Sequence, residues 1–108
     1  MIRYLSPLFV TDELAGMTEK ICSGLENGEL LLNTFVITLA ETEADIFDIY
    51  NGLLFMQPAF RNRDYSVCGL AESEEAAYKL VSLIYSEYFK KHGTHTGLKE
   101  ELIKRLTN

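Results

Sequence analysis

Acidic side chains follow two short apolar stretches of this sequence. The first group comes directly after Ala40 and the second directly after Ala71: they are Glu41, Glu43 and Asp45, and then Glu72, Glu74 and Glu75. If both stretches are parallel strands, the two groups meet at one edge of a sheet, where carboxylates could hold Mg²⁺ or Ca²⁺. The candidate metal ligands are Glu43, Asp45, Glu74 and Glu75. Acids also complement the dipole at any helix start, and we favour this explanation, which needs no ligand.

The other reactive side chains give weaker signals. Cys22 and Cys68 lack the spacing of a disulfide framework or a zinc motif, and no neighbouring base activates either thiol. His92 and His95 are three residues apart, but Gly93 separates them at an expected helix end. We therefore expect two reduced thiols, two structural histidines and no cofactor.

The segment between the two apolar stretches combines aromatic, methionine and arginine side chains. This mixture is typical of the cores of protein interfaces. A loop or short helix packed onto the sheet would explain the aromatic residues almost as well. The candidate interaction residues are Tyr50, Phe55, Met56, Phe60, Arg61, Arg63 and Tyr65.

Two strands and a crossover are expected to position these residues. Residues 33–40 and 65–71 are rich in β-branched and large apolar side chains, and residues 33–40 are apolar on both faces, as in a strand covered on two sides. The 23 residues from Glu41 to Arg63, with a short helix expected after Thr42, are long enough for a right-handed crossover between parallel strands. The pattern therefore predicts a βαβ unit.

Three more helices are expected around this unit. The first follows Thr11 and ends at Gly28, the longest runs from Glu74 to about His92, and the last spans about Thr96 to Leu106. Two strands alone make a marginal sheet, so we expect either a third strand over residues 3–10 or completion by a second copy, which Pro7 favours. The fold class is α/β or α+β, with a short, mainly parallel sheet flanked by four helices in one domain over residues 1–108.

Composition restricts the function classes. A net charge of −6 opposes binding to phosphate backbones, so no nucleic-acid partner is expected. The apolar runs fall far short of the ~20 residues that cross a bilayer, and the N-terminus lacks the pattern of a signal peptide. We expect a cytoplasmic protein that does not bind membranes.

The sequence does not determine a function, and an enzyme is the less favoured class. The leading interpretation is a small intracellular interaction or accessory module, which we expect to be homodimeric. One alternative is a metal-dependent enzyme or binding protein that uses the carboxylates at the strand edge. The other is an acidic mimic that occupies the nucleic-acid-binding surface of a basic partner.

Overall fold

A computed structural model describes residues 1–107, in which helices and strands form an α+β fold. One mixed sheet contains four longer strands and a two-residue fifth, and four α-helices pack around it. The strands are β1 (Ile2–Val10), β2 (Phe35–Leu39), β3 (Phe47–Asn51), β4 (Tyr65–Ala71) and β5 (Leu106–Thr107). The α-helices are α1 (Thr18–Asn27), α2 (Pro58–Arg61), α3 (Glu74–His92) and α4 (Leu98–Lys104), and 3₁₀ helices span Asp12–Met17 and Gly52–Met56.

The two strands expected to be parallel neighbours are antiparallel neighbours. The strand order is β3-β2-β4-β1-β5, and β2 pairs antiparallel with both β3 and β4. The parallel pair is instead β1 with β4. The prediction of a crossover between β2 and β4 was therefore wrong, and the sheet is not mainly parallel. The N-terminal segment does supply a further strand, which was one of the two expected ways to complete the sheet.

The error arose in residues 41–53, where a strand lies in place of the expected helix. Residues 41–44 form bends, and β3 follows and returns along β2 as the second strand of a hairpin. Ile46, Ile49 and Leu53 match the spacing of a helical face, but side chains also alternate across β3. Phe47 and Ile49 pack on one side of the sheet, whereas Tyr50 packs on the other. The period of two is the one that the structure follows.

Helices cover the sheet on both faces. The cluster on the α3 and α4 side contains Ile37, Cys68 and Ile84, and the cluster on the α1 side contains Val36, Leu25 and Phe55. The strand expected over residues 33–40 is present over Phe35–Leu39, and it is covered on both sides as expected. No helix among residues 1–107 is long and apolar enough to cross a membrane.

Several helix ends lie where the sequence predicted them. The Ser73 hydroxyl accepts a hydrogen bond from the Ala76 amide at 3.0 Å, which caps α3. Gly28 and Gly93 end α1 and α3 in the left-handed conformation that favours glycine. Thr11 was expected to cap the first helix, but its side chain makes no capping bond, and that helix begins as a 3₁₀ turn.

Gly69 lies where the backbone of the neighbouring strand β1 approaches closely. A Cβ atom there would lie 2.9 Å from the carbonyl oxygen of Phe9 and 3.2 Å from Cδ1 of Ile37. The register of β2 against β4 shifts at this point, so that Cys68 is an extra residue between the partners of Ile37 and Thr38. The missing side chain of Gly69 therefore leaves room for the Phe9 backbone and the Ile37 side chain.

Candidate functional site

Strand β3 is an edge of the sheet, and its outer side faces no other strand among residues 1–107. Its register against β2 is unbroken from Phe35 opposite Asn51 to Leu39 opposite Phe47. A regular strand of this kind presents a row of free backbone groups on its outer side.

The hydrogen bonds at both ends of the hairpin show which backbone groups point outward. The Ala40 amide donates to the Ile46 carbonyl at 2.9 Å, and the Gly52 amide donates to the Thr34 carbonyl at 2.8 Å. Positions 46, 48, 50 and 52 therefore direct their backbone groups toward β2, because bonded pairs alternate along an antiparallel ladder. It follows that Phe47 and Ile49 direct their amides and carbonyls away from the sheet. Asn51 directs its amide outward, while its carbonyl begins the following 3₁₀ helix, of which Asn51 is the N-cap.

The two edges of the sheet differ in their protection. At the opposite edge, β5 pairs with Tyr4 and Leu5 of β1, and β1 also contains Pro7. Proline, charged side chains and bulges are devices that limit pairing at an edge. β3 has no proline, lysine or bulge, and its one charged residue is Asp48. This edge is therefore open to a further strand.

A groove with both apolar and polar lining lies beside the open edge. It is formed by α3, by β3 and by the end of the β2–β3 loop, and its volume is about 270 Å³. The Phe47 and Tyr85 rings meet edge to face with their centroids 5.7 Å apart. Tyr78, at the mouth of the groove, is 59% exposed. The lining residues are Ala44, Asp45, Ile46, Phe47, Ile49, Tyr78, Val81 and Tyr85.

Lys99 of α4 holds the loop that leads into β3. Its ammonium group donates to the carbonyls of Ala40 at 2.6 Å, Thr42 at 3.0 Å and Asp45 at 3.3 Å. These three acceptors span residues 40–45, so one side chain fixes the course of the chain between β2 and β3. The position of the edge strand therefore depends on a contact with the C-terminal helix.

The predicted interaction residues come together on the opposite face of the sheet. Four of their rings form one cluster: the Phe55 and Phe60 centroids are 5.1 Å apart, and those of Tyr50 and Phe60 are 5.2 Å apart. The fourth ring is that of Tyr65, whose hydroxyl donates to the Phe60 carbonyl at 2.6 Å. Phe55 is fully buried and Tyr65 nearly so. These contacts give the cluster a role in the core.

The remaining members of the predicted set lie around this cluster. Arg61 donates to the carbonyl of Phe55 at 3.1 Å, and the Arg63 guanidinium lies 5.6 Å from the centroid of the Phe60 ring. Met56 is 44% exposed. Burial raises the pKa of the Tyr50 phenol, and Asp48 beside it acts in the same direction. Tyr50 is the one member that lies on the open edge strand.

The acidic residues do not form the shared rim that the parallel arrangement predicted. Ala71 lies opposite Phe35, so the acids that follow β4 and those that follow β2 are at opposite ends of the antiparallel pair. Glu43 and Asp45 are exposed in the β2–β3 loop, and Glu75 pairs with Lys79 at 3.3 Å on α3. Within residues 1–107, no three His, Cys, Asp or Glu side chains are grouped so that they could hold a metal ion.

The thiols and imidazoles are also separated. Cys68 is fully buried, and burial raises its pKa to about 12. Burial likewise raises the pKa of Cys22, to about 11, so neither thiol is activated as a nucleophile. The His92 ring packs on Tyr88 with a centroid distance of 4.2 Å, and the His95 ring packs on Tyr85 at 5.2 Å.

The residues that form the open edge and its groove were not among the predicted site residues. Phe47 and Ile49 were placed in a helix, and Tyr78 and Tyr85 were assigned no role. The signal that could have found β3 is the run of β-formers from Ile46 to Tyr50, which ends at Asn51-Gly52. Comparisons with protein-family models, with curated proteins and with solved structures give no match for this chain.

Proposed function

We propose that this chain is a protein-interaction module that binds an extended segment of polypeptide along the outer edge of β3. The bound segment adds a strand to the sheet, and its side chains on one face enter the groove beside α3. Backbone hydrogen bonds supply affinity in this mode of recognition, and pockets for alternate side chains supply specificity.

The observation that carries this proposal is the unprotected edge. Phe47 and Ile49 present backbone donors and acceptors, and Asn51 presents its amide, on a strand without bulge, proline or lysine. The groove is continuous with the open edge, because Phe47 and Ile49 belong to both. Backbone and side chains of one strand therefore favour the same docking surface.

The alternatives have less support. The metal-dependent function relied on parallel strands that gather six carboxylates, and the antiparallel pairing of β2 with β4 removes that arrangement. The acidic mimic remains a hypothesis that rests on the net charge of −6 alone. We place the module in the cytoplasm, since Cys22 and Cys68 are both free thiols and a reducing compartment suits them.

A peptide selection tests strand addition and needs no assumption about the identity of the partner. Random peptides displayed on phage are selected on the immobilised protein, at a surface density too low for copies to meet. Selected peptides should alternate apolar and polar residues, as strands with one buried face do. They should bind the Ile49→Ala variant with moderately reduced affinity and the Ile49→Pro variant not at all.

These two variants form a matched pair. Both lose most of the isoleucine side chain, but only proline removes the outward amide of residue 49. The ladder to β2 does not use that amide, and proline is tolerated on edge strands, so Ile49→Pro should keep the fold. Circular dichroism and urea denaturation verify this. Peptides that bind both variants equally, or a selection that yields no edge-dependent peptide, would contradict the proposed function.

A further inference from the structure

We infer that the strand which occupies this edge in solution is β3 of a second copy, aligned antiparallel about a two-fold axis through Ile49. This inference rests on the proposed function and specifies its partner. Three features of the chain carry it: the register of β3, its side chains and the arrangement of the helices in such a pair.

The outward backbone groups of β3 are self-complementary about Ile49. With Ile49 opposite its own copy, Phe47 faces Asn51 of the other copy, and every outward residue meets an outward residue. The two Ile49 residues exchange both of their bonds, and each Asn51 amide donates to a Phe47 carbonyl, which gives about four hydrogen bonds across the joint. All five residues of β3 are then paired, so the length of the strand is used completely.

The side chains of β3 also suit this alignment. Asp48 comes to lie opposite Tyr50 of the second copy, in a pair without backbone bonds, where side chains approach closely. The Tyr50 hydroxyl is 3.5 Å from the Asp48 carboxylate within one chain, which is a long contact. Because each phenol has one proton, Tyr50 of the second copy replaces this long contact within one chain by a donation across the joint, and the two Asp48 side chains do not lie directly opposite each other.

The two-fold axis brings the two grooves together. An axis perpendicular to the sheet relates the strands of a continuous antiparallel joint, so α3 of both copies lies on the same face. The groove lined by Phe47, Ile49 and Tyr78 then faces its copy across the new joint. Tyr78, which is 59% exposed in the single chain, gains apolar surroundings there.

Charge distinguishes a second copy from a partner of opposite charge. Each copy carries a net charge of −6, so two copies repel each other at long range. Salt screens this repulsion, and self-association should therefore tighten as the ionic strength rises. A basic partner would show the opposite salt dependence.

Sedimentation equilibrium measures the self-association directly. The protein should change from a mass of 12.3 kDa to twice that value as its concentration rises from about 1 µM to about 500 µM. The transition should move to lower concentration between about 50 mM and 500 mM NaCl. Ile49→Pro should weaken the dimer about tenfold or more relative to Ile49→Ala, since it removes the central amide.

Cysteine cross-linking tests the register. In the proposed dimer, the two copies of residue 49 have Cα atoms about 5.5 Å apart, within the range of a disulfide. The two copies of residue 47 are about 13 Å apart, beyond that range. Mild oxidation should therefore link Ile49→Cys and leave Phe47→Cys unlinked, with the wild type as the control for Cys22 and Cys68.

The outcomes separate this inference from the proposed function. A protein that stays monomeric to about 500 µM overturns the second-copy partner, while edge-dependent phage peptides would still support strand addition. A dimer that cross-links through Phe47→Cys, or that is unchanged by Ile49→Pro, uses another register or surface and also overturns the inference. A dimer that becomes weaker as the salt concentration rises would also overturn the inference.

Discussion

Replacing Lys99 by methionine should destabilise the hairpin that presents the open edge. The ammonium group of Lys99 serves three carbonyls of the β2–β3 loop, and the shortest of these bonds is 2.6 Å, to Ala40. Methionine keeps a long apolar side chain and removes only the charged donor. The Lys99→Met variant therefore isolates the hydrogen bonds from the packing of the side chain.

The magnitude follows from the burial of the acceptors. Ala40 is 4% exposed, so its carbonyl loses its partner in a buried setting, at a cost of about 1–3 kcal/mol. Thr42 and Asp45 are exposed, and water replaces the ammonium there at a cost of about 0.5 kcal/mol each. The side chain at position 99 regains conformational freedom in the variant, and this offsets up to about 1 kcal/mol of the lost stability. The free energy of unfolding should fall by about 2 kcal/mol.

Urea denaturation measures this change, and hydrogen exchange locates it. With a denaturant dependence of about 2 kcal/mol per molar urea, the midpoint should fall by about 1 M. The amides of Ala40 and of β3 should exchange faster, while those of β4 should change less. Lys104→Met is the control, since Lys104 is an exposed residue of the same helix. Equal stability of the two variants, or unchanged exchange at Ala40, would refute the role given to Lys99.

Two further predictions concern the buried side chains. Burial raises the pKa of Cys68 to about 12 and of Cys22 to about 11, so the unfolded chain ionises first. The free energy of unfolding should then be constant below about pH 9 and fall above it, which urea denaturation at pH 7 and pH 10 would show. Both thiols should also react slowly with iodoacetamide at pH 7. Equal stability at the two pH values would contradict this prediction. Replacing Phe60 and Arg61 together by alanine should lower the free energy of unfolding by about 3 kcal/mol, because the aromatic cluster loses a ring and two carbonyls lose a donor. The association constant of the dimer should stay unchanged. Lost association with unchanged stability, measured by light scattering and denaturation, would instead make this cluster an interface.

The parts of the fold that could be predicted from the sequence are those set by neighbouring residues. The start of α3 follows from the Ser73 hydroxyl and the Ala76 amide, three residues apart, and the ends of α1 and α3 follow from single glycines. The two buried strands follow from their own apolar runs. In each case the determining contact lies within about one helical turn or one strand, so the local sequence contains the cause.

Strand direction and the candidate site depend on contacts between distant residues. Lys99 reaches carbonyls 54 to 59 positions earlier in the chain, and no local pattern indicates this contact. The parallel partner of β4 is β1, which pairs Ile2 with Tyr65. The sequence could show that β2 and β4 are buried strands, but not which strand lies between or beside them.

One local ambiguity decided both the fold and the functional hypothesis. Residues 46–53 fit a helical face through Ile46, Ile49 and Leu53 and fit a strand through the alternation at Phe47 and Ile49. If these residues form a helix, as predicted, they connect parallel strands and gather carboxylates at one edge of the sheet. In the structure they include β3, which reverses the chain direction and separates those carboxylates. The same reversal places β3 at the end of the strand order. An open edge is a property of that order, so the candidate interaction site became visible only once the pairing was known.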